Sequence, residues 1–209
     1  MAIQNLIFDL GGVLYAIDIQ RTFDRLWALV PPTETRPVPK DFSNVADHEI
    51  FRAFEKGDLS APDFREALRH RFGLVGSDAA IDAAWNALLL GVIPGRIATL
   101  KQLSAHYRLI LLSNTNSIHK QHYAAEVAPL FACFEQIFLS FEMGLRKPDA
   151  SIYTTILNEC GINAAQSLFI DDTQANLNGA AALGIQTFLI GNEAGSKFTD
   201  LLQKLNTSN

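Results

Sequence analysis

Five short apolar runs, each closed by small or polar residues, constrain the fold of this chain more than any other feature. They are "LIFDL" (6–10), "LILLSNT" (109–115), "IFLS" (137–140), "LFIDD" (168–172) and "TFLI" (187–190). Runs apolar on both faces belong to a parallel sheet covered by helices on either side. Between the later four lie helical patterns at approximately 118–130, 150–160 and 174–183, alternating with the runs as βαβ units do. The pattern predicts an α/β fold with a doubly wound, mainly parallel sheet.

One connection is too long for that scheme. From Tyr15 to Ile93 the chain continues for dozens of residues before the next strand, whereas a crossover needs about a dozen and one helix. The segment reads as an inserted bundle of helices: "IQRTFDRLWALV" (19–30), "ADHEIFRAFEKG" (46–57), "SAPDFREALRHRFG" (60–73) and "SDAAIDAAWNALLLG" (77–91). Ser60 with Asp63 forms an N-terminal capping pair, and Gly57 and Gly73 are stops. "PPTETRPVPK" (31–40) reads as a loop and "IPGR" (93–96) as a hinge. The expected organisation is a core of 1–14 and 94–209 and a small helical cap of 15–93. The two segments joining them, 15–17 and 93–96, are expected to flex as the cap closes.

The 209 residues are 48% hydrophobic and include 14 Phe, enough for a real core and a small second one. The Phe-rich cap can bury its rings against the core or a second subunit, so the oligomeric state is not legible. The longest apolar stretches, such as 87–93, fall far short of a membrane helix. "MAIQNLIFDL" lacks the basic start and small-residue cleavage site of a secretory signal, so the cytoplasm is the expected location. A net charge of −5 without a Lys/Arg cluster argues against nucleic acid or an anionic membrane as partner. Cys133 and Cys160 are far apart and are expected to be buried, inert thiols.

In open α/β sheets the binding crevice lies beyond the carboxyl ends of the strands, so the residues that finish the apolar runs should face one another. Here they are Asp9, Ser113 with Asn114, and Asp171 with Asp172, joined by Lys147 in "GLRKPDAS". Each has an ordinary explanation alone: a turn, a helix cap, a solvated loop charge. Together they suggest chemistry. Three carboxylates in one crevice repel unless they take up protons or hold a cation. With oxygen ligands and no His or Cys at hand, Mg²⁺ is the expected ion, leaving Asp9 as a nucleophile toward phosphorus. Ser113 and the Asn114 backbone N–H would hold phosphoryl oxygens, and Lys147 would bind the phosphoryl group and balance the acids. Gly11 and Gly12 let the backbone turn tightly around the transferring group.

"IFDLGGVL", "LLSNT", "LRKPDASIY" and "LFIDDTQANLNGAAALGI" resemble, in order and spacing, the four signature segments of the haloacid dehalogenase-like (HAD) hydrolases. "GDLSAPDFREAL" is similar to a pattern of the bacterial branch that includes glucose-1-phosphate phosphatases. The resemblance implies a Mg²⁺-dependent phosphatase of a small phosphorylated metabolite, with a sugar phosphate expected. In it Asp9 is nucleophile and metal ligand, Ser113 and Lys147 hold the phosphoryl group, Asp171 and Asp172 complete the metal site, and Asn114 takes a secondary part. Asn176 either orders the Asp172 region or is merely a polar helix residue.

One position departs from the family pattern. The Asp that commonly stands two residues after the nucleophile, protonating the leaving group and ligating the metal through its carbonyl, is Gly11 here. Gly11 retains only the carbonyl, and general-acid help is worth about 10²- to 10⁴-fold. Either the substrate carries a good leaving group or another residue, Asp18 or Tyr15, substitutes. Arg21, Arg25 and Lys40 are cap residues that either meet the leaving portion or are solvated charges. Two rival readings stand beside the phosphatase: a metal-independent carbon–halogen hydrolase, and a protein that binds a phosphorylated ligand or a partner without catalysis.

Overall fold

In a computed structural model, residues 2–31, 49–190, 198, 200, 201 and 205 are described. The Pro-rich loop from position 32 and Lys40 lie outside them. The chain opens with β1 (Asn5–Phe8), then β2 (Tyr15–Ile17), α1 (Ile19–Trp27), α2 (Glu49–Glu55), α3 (Ala61–Phe72), α4 (Asp78–Trp85) and β3 (Leu89–Val92). It continues through α5 (Arg96–Leu103), β4 (Arg108–Ser113), α6 (Ser117–Phe131), β5 (Gln136–Leu139) and α7 (Ser140–Met143). The last elements are α8 (Ala150–Cys160), β6 (Ser167–Asp171), α9 (Gln174–Ala181) and β7 (Gln186–Leu189).

Five strands form one parallel sheet in the order β5-β4-β1-β6-β7. The expected doubly wound sheet is present. Leu6 and Phe8 of β1 enter a core with residues of α5 and α6, while Ile7 enters a second core with α8 and α9, which is why the strands read as apolar on both faces. From β1 the chain winds outward through β4 and β5, then returns to the other side of β1 to form β6. The switch in winding therefore falls between β1 and β6, and Asp9 and Asp171 stand on either side of it.

The insert has a core of its own, in which aromatic rings stack: Phe54 on Phe64 with centroids 4.0 Å apart and Phe51 on Trp85 at 5.2 Å. Ile118 and His119 of α6 join it, the imidazole lying flat on Trp85. Ser60 accepts the Asp63 N–H and Gly73 closes α3 in the left-handed conformation, as the sequence predicts. Gly57, at φ +76°, comes so near α7 that a Cβ there would stand 2.3 Å from the Phe141 carbonyl oxygen. With the Arg146–Glu55 ion pair at 2.9 Å, this contact docks the insert on the sheet domain.

Two expectations need correction, and one helix is additional to those expected. The helix expected over 77–91 ends at Trp85; Leu89–Val92 is a strand paired antiparallel with β2, because tertiary pairing overrides a run of Leu that propensity alone would make helical. Residues 93–96 run into a further helix, α5, that the apolar pattern did not mark; Arg96 is buried at its start and donates from Nε to the Val13 carbonyl. Cys160 is buried, but Cys133 is only partly so. Among the described residues no helix is long and apolar enough to cross a membrane.

Candidate active site

Register brings the acids together. Phe8 pairs with Ile170, and the Asp9 N–H donates to the Ile170 carbonyl, so the first residue after β1 stands beside the last of β6. One carboxylate oxygen from each of Asp9, Asp171 and Asp172 lies within 4.8 Å of the others. Lys147, 1% exposed, reaches between them: Nζ is 2.6 Å from Asp171 and 2.9 Å from Asp9, and also donates to the Leu112 carbonyl.

The loops are held by their own side chains. Asn114 and the Lys147 backbone bond reciprocally, Nδ2 donating to the Lys147 carbonyl and Oδ1 accepting its N–H, which fixes the lysine loop to the end of β4. Asn176 donates to both oxygens of Asp171, at 3.1 Å each, and the Thr173 N–H donates to the same carboxylate at 2.7 Å. Asn176 thus positions Asp171 rather than Asp172. The helix expected over 118–130 spans Ser117–Phe131, with Asn116 as its cap. Ser113, buried, stands at the end of β4.

Gly12 shows why the turn after Asp9 lacks side chains. Its φ is +70°, and a Cβ there would lie 2.1 Å from Asp172 Oδ2. At Gly11, by contrast, a Cβ would meet only Ile17 at ordinary contact distance. Neither candidate substitute acid is free. Asp18 caps α1 by accepting the Gln20 N–H and pairs with Arg21, and the Tyr15 hydroxyl donates to Glu126 at 2.7 Å. Arg21 and Arg25 line a separate depression between α1 and α4.

Electrostatics favours a cation here. Burial, augmented by Asp171 and Asp172 against the opposing pull of Lys147, lifts the Asp9 carboxyl well above its ordinary range. Burial and Asp171 raise Asp172 as well. For Lys147, burial works against the charge, but Asp171 and Asp9 more than offset it and hold the ammonium above the usual lysine range. One ammonium faces three carboxyl groups, and the donors are all oxygen. That set fits a hard divalent ion such as Mg²⁺.

A parallel sheet with an acid triad and a lysine at its switch point, under a helical insert, defines a class of hydrolytic α/β enzymes. The haloacid dehalogenase-like hydrolase family model matches residues 3–184, and the chain belongs to that family. It is 27% identical to a D-ribitol-5-phosphate phosphatase of Bacteroides thetaiotaomicron over 192 residues, 89% of this chain and 91% of the relative. It is also 27% identical to a sesquiterpene phosphatase of Aspergillus oryzae over 179 residues, 86% and 85% of the two chains. A solved HAD family enzyme from Bacteroides thetaiotaomicron, in complex with magnesium and inorganic phosphate, superposes with a TM-score of 0.80 at 32% identity, covering 96% and 99%. These relatives support a phosphoric monoester hydrolase.

Proposed function

We propose that this protein is a Mg²⁺-dependent phosphatase that hydrolyses a small phosphorylated metabolite through an aspartyl-phosphate on Asp9. The observation that carries the reading is the convergence of Asp9, Asp171 and Asp172 on one point, with one buried lysine paired to the first two. Asp9, Asp171 and Asp172, with the Gly11 carbonyl, would hold the ion. When bound, Mg²⁺ supplies charge that screens a phosphate dianion from an attacking carboxylate.

The chain's own groups do the rest. An Asp9 carboxylate oxygen attacks phosphorus, the ester P–O bond breaks, and the departing alkoxide takes its proton from water, since Gly11 has none to give. Water then attacks phosphorus, the bond to Asp9 breaks, and inorganic phosphate leaves with the carboxylate restored. Ser113 Oγ and the Asn114 N–H donate to phosphoryl oxygens, and Lys147 Nζ offsets their charge. Asn176 and the Thr173 N–H keep Asp171 turned toward Lys147. Residues 15–93 serve as a cap that shelters the reaction from water.

Turnover of p-nitrophenyl phosphate, whose leaving group needs no acid, tests this. Activity that appears with Mg²⁺, disappears with chelator and is lost in Asp9→Asn is expected. Metal-independent turnover of 2-chloroacids would instead establish the carbon–halogen reading, and inactivity in both assays the non-catalytic one.

A further inference from the structure

A chamber of about 180 Å³ opens directly onto the phosphoryl end of the site, sharing Gly11, Ser113 and Asn114 with it. Its walls come from the insert and the β2–β3 ribbon: Ile17, Phe23, Phe51, Trp85, Leu88 and Leu89. At its rim Ile19, the first residue of α1, is 49% exposed. Because the chamber is continuous with the groups that would hold phosphate, its occupant is the organic portion of the ester.

Most of the polar side chains that reach this chamber are already engaged within the protein. Thr22 Oγ1 donates to the Trp85 carbonyl and accepts the Leu88 N–H. The Tyr15 hydroxyl donates to Glu126, and Thr115 pairs with Tyr123. Glu55 Oε2 accepts from Arg146 Nε and Nη2, and burial, outweighing the guanidinium, raises its carboxyl above the ordinary range. His119 Nδ1 bonds Asn86 Oδ1 at 2.8 Å, and burial pushes the imidazole down to about 3, so it is neutral. A polyol seated here would meet open atoms at Glu55 Oε1 and His119 Nε2, and every further hydroxyl would give up water without a dedicated partner, at roughly five- to a hundredfold in affinity apiece.

We infer that the substrate's organic portion is a compact apolar group, a single aromatic ring or a short branched hydrocarbon chain, rather than the sugar that the sequence suggests. The size follows from the chamber, since an apolar cavity of about 150 Å³ accommodates one benzene. The inference rests on the phosphatase reading and specifies the substrate class of the same site.

A series of acyl phosphates tests it, because acetyl, propanoyl, butanoyl and pentanoyl phosphate share one leaving-group chemistry and differ only in apolar length. Each added methylene is expected to raise kcat/KM about fourfold until the chamber is full. In parallel, benzyl phosphate and isopentenyl monophosphate should exceed ribitol 5-phosphate and glucose 1-phosphate at least tenfold in kcat/KM. A flat acyl series, or sugar phosphates turned over as well as the apolar esters, overturns the inference while leaving the phosphatase reading intact. If no acyl phosphate is hydrolysed with Mg²⁺ present, the phosphatase reading fails and takes this inference with it.

Discussion

Restoring a proton donor at position 11 separates the absent acid from every other feature of the site. In Gly11→Asp the new Cβ would lie 3.4 Å from Ile17 Cδ1 and 3.8 Å from Ile17 Cγ2, ordinary contacts, so the backbone accepts it where it would not at Gly12. The carboxyl would sit among apolar wall residues and near three other acids, and both conditions favour its protonated form at neutral pH. A positioned acid is worth about 10²- to 10⁴-fold, or roughly 3–5 kcal/mol, for an alkoxide leaving group. For acetyl phosphate, whose leaving group is a weak base, it is worth almost nothing. We therefore expect the ratio of kcat/KM for benzyl phosphate over acetyl phosphate to rise by at least 100-fold in the variant. The benzyl phosphate profile should also acquire a limb that falls at high pH, where the new acid ionises. Fold retention is read from circular dichroism and the melting temperature. A folded variant with an unchanged ratio would refute the view that Gly11 marks the missing acid.

Gly12→Ala is expected to weaken Mg²⁺ binding more than tenfold by calorimetry, because its Cβ displaces the Asp172 carboxylate and φ +70° costs a further 1–2 kcal/mol or so. Lys147→Met leaves Asp171 buried without its cation, and at neutral pH without metal it should lose about 3–5 kcal/mol, read as a fall in melting temperature on the order of 10 °C. Mg²⁺ should restore part of that loss. In the native protein Asp9 and Asp172 titrate above their unfolded values, so the folded state holds their protons more tightly. Metal-free stability must then decline as pH rises from about 4 through the raised values, and the melting-temperature increase given by Mg²⁺ should be larger at pH 8 than at pH 6.

The catalytic end of the molecule was legible because its residues occupy positions that strand geometry dictates. A run buried on both faces must end somewhere, and in a parallel sheet all such ends share one edge, so Asp9, Ser113 and Asp171 were readable as neighbours before any distance was known. Lys147 followed only with its loop, and the side chain that fixes that loop, Asn114, was read for its backbone instead. Its amide spans 33 positions in sequence, and no local pattern encodes such a contact.

The other end of the site was illegible for a different reason. Phe23, Phe51 and Trp85 line the chamber and also stack in the insert's own core, so the residue types that shape a binding surface are those that hold the helices together. Nothing in their spacing separates the two roles. The polar residues mislead in the opposite direction: Tyr15 and Thr22 look like groups for contacting a sugar, and only their partners show them to be occupied. Substrate polarity depends on which polar groups remain free after folding. That is a property of long-range hydrogen bonds such as Tyr15 to Glu126, 111 positions apart, and composition carries no trace of it.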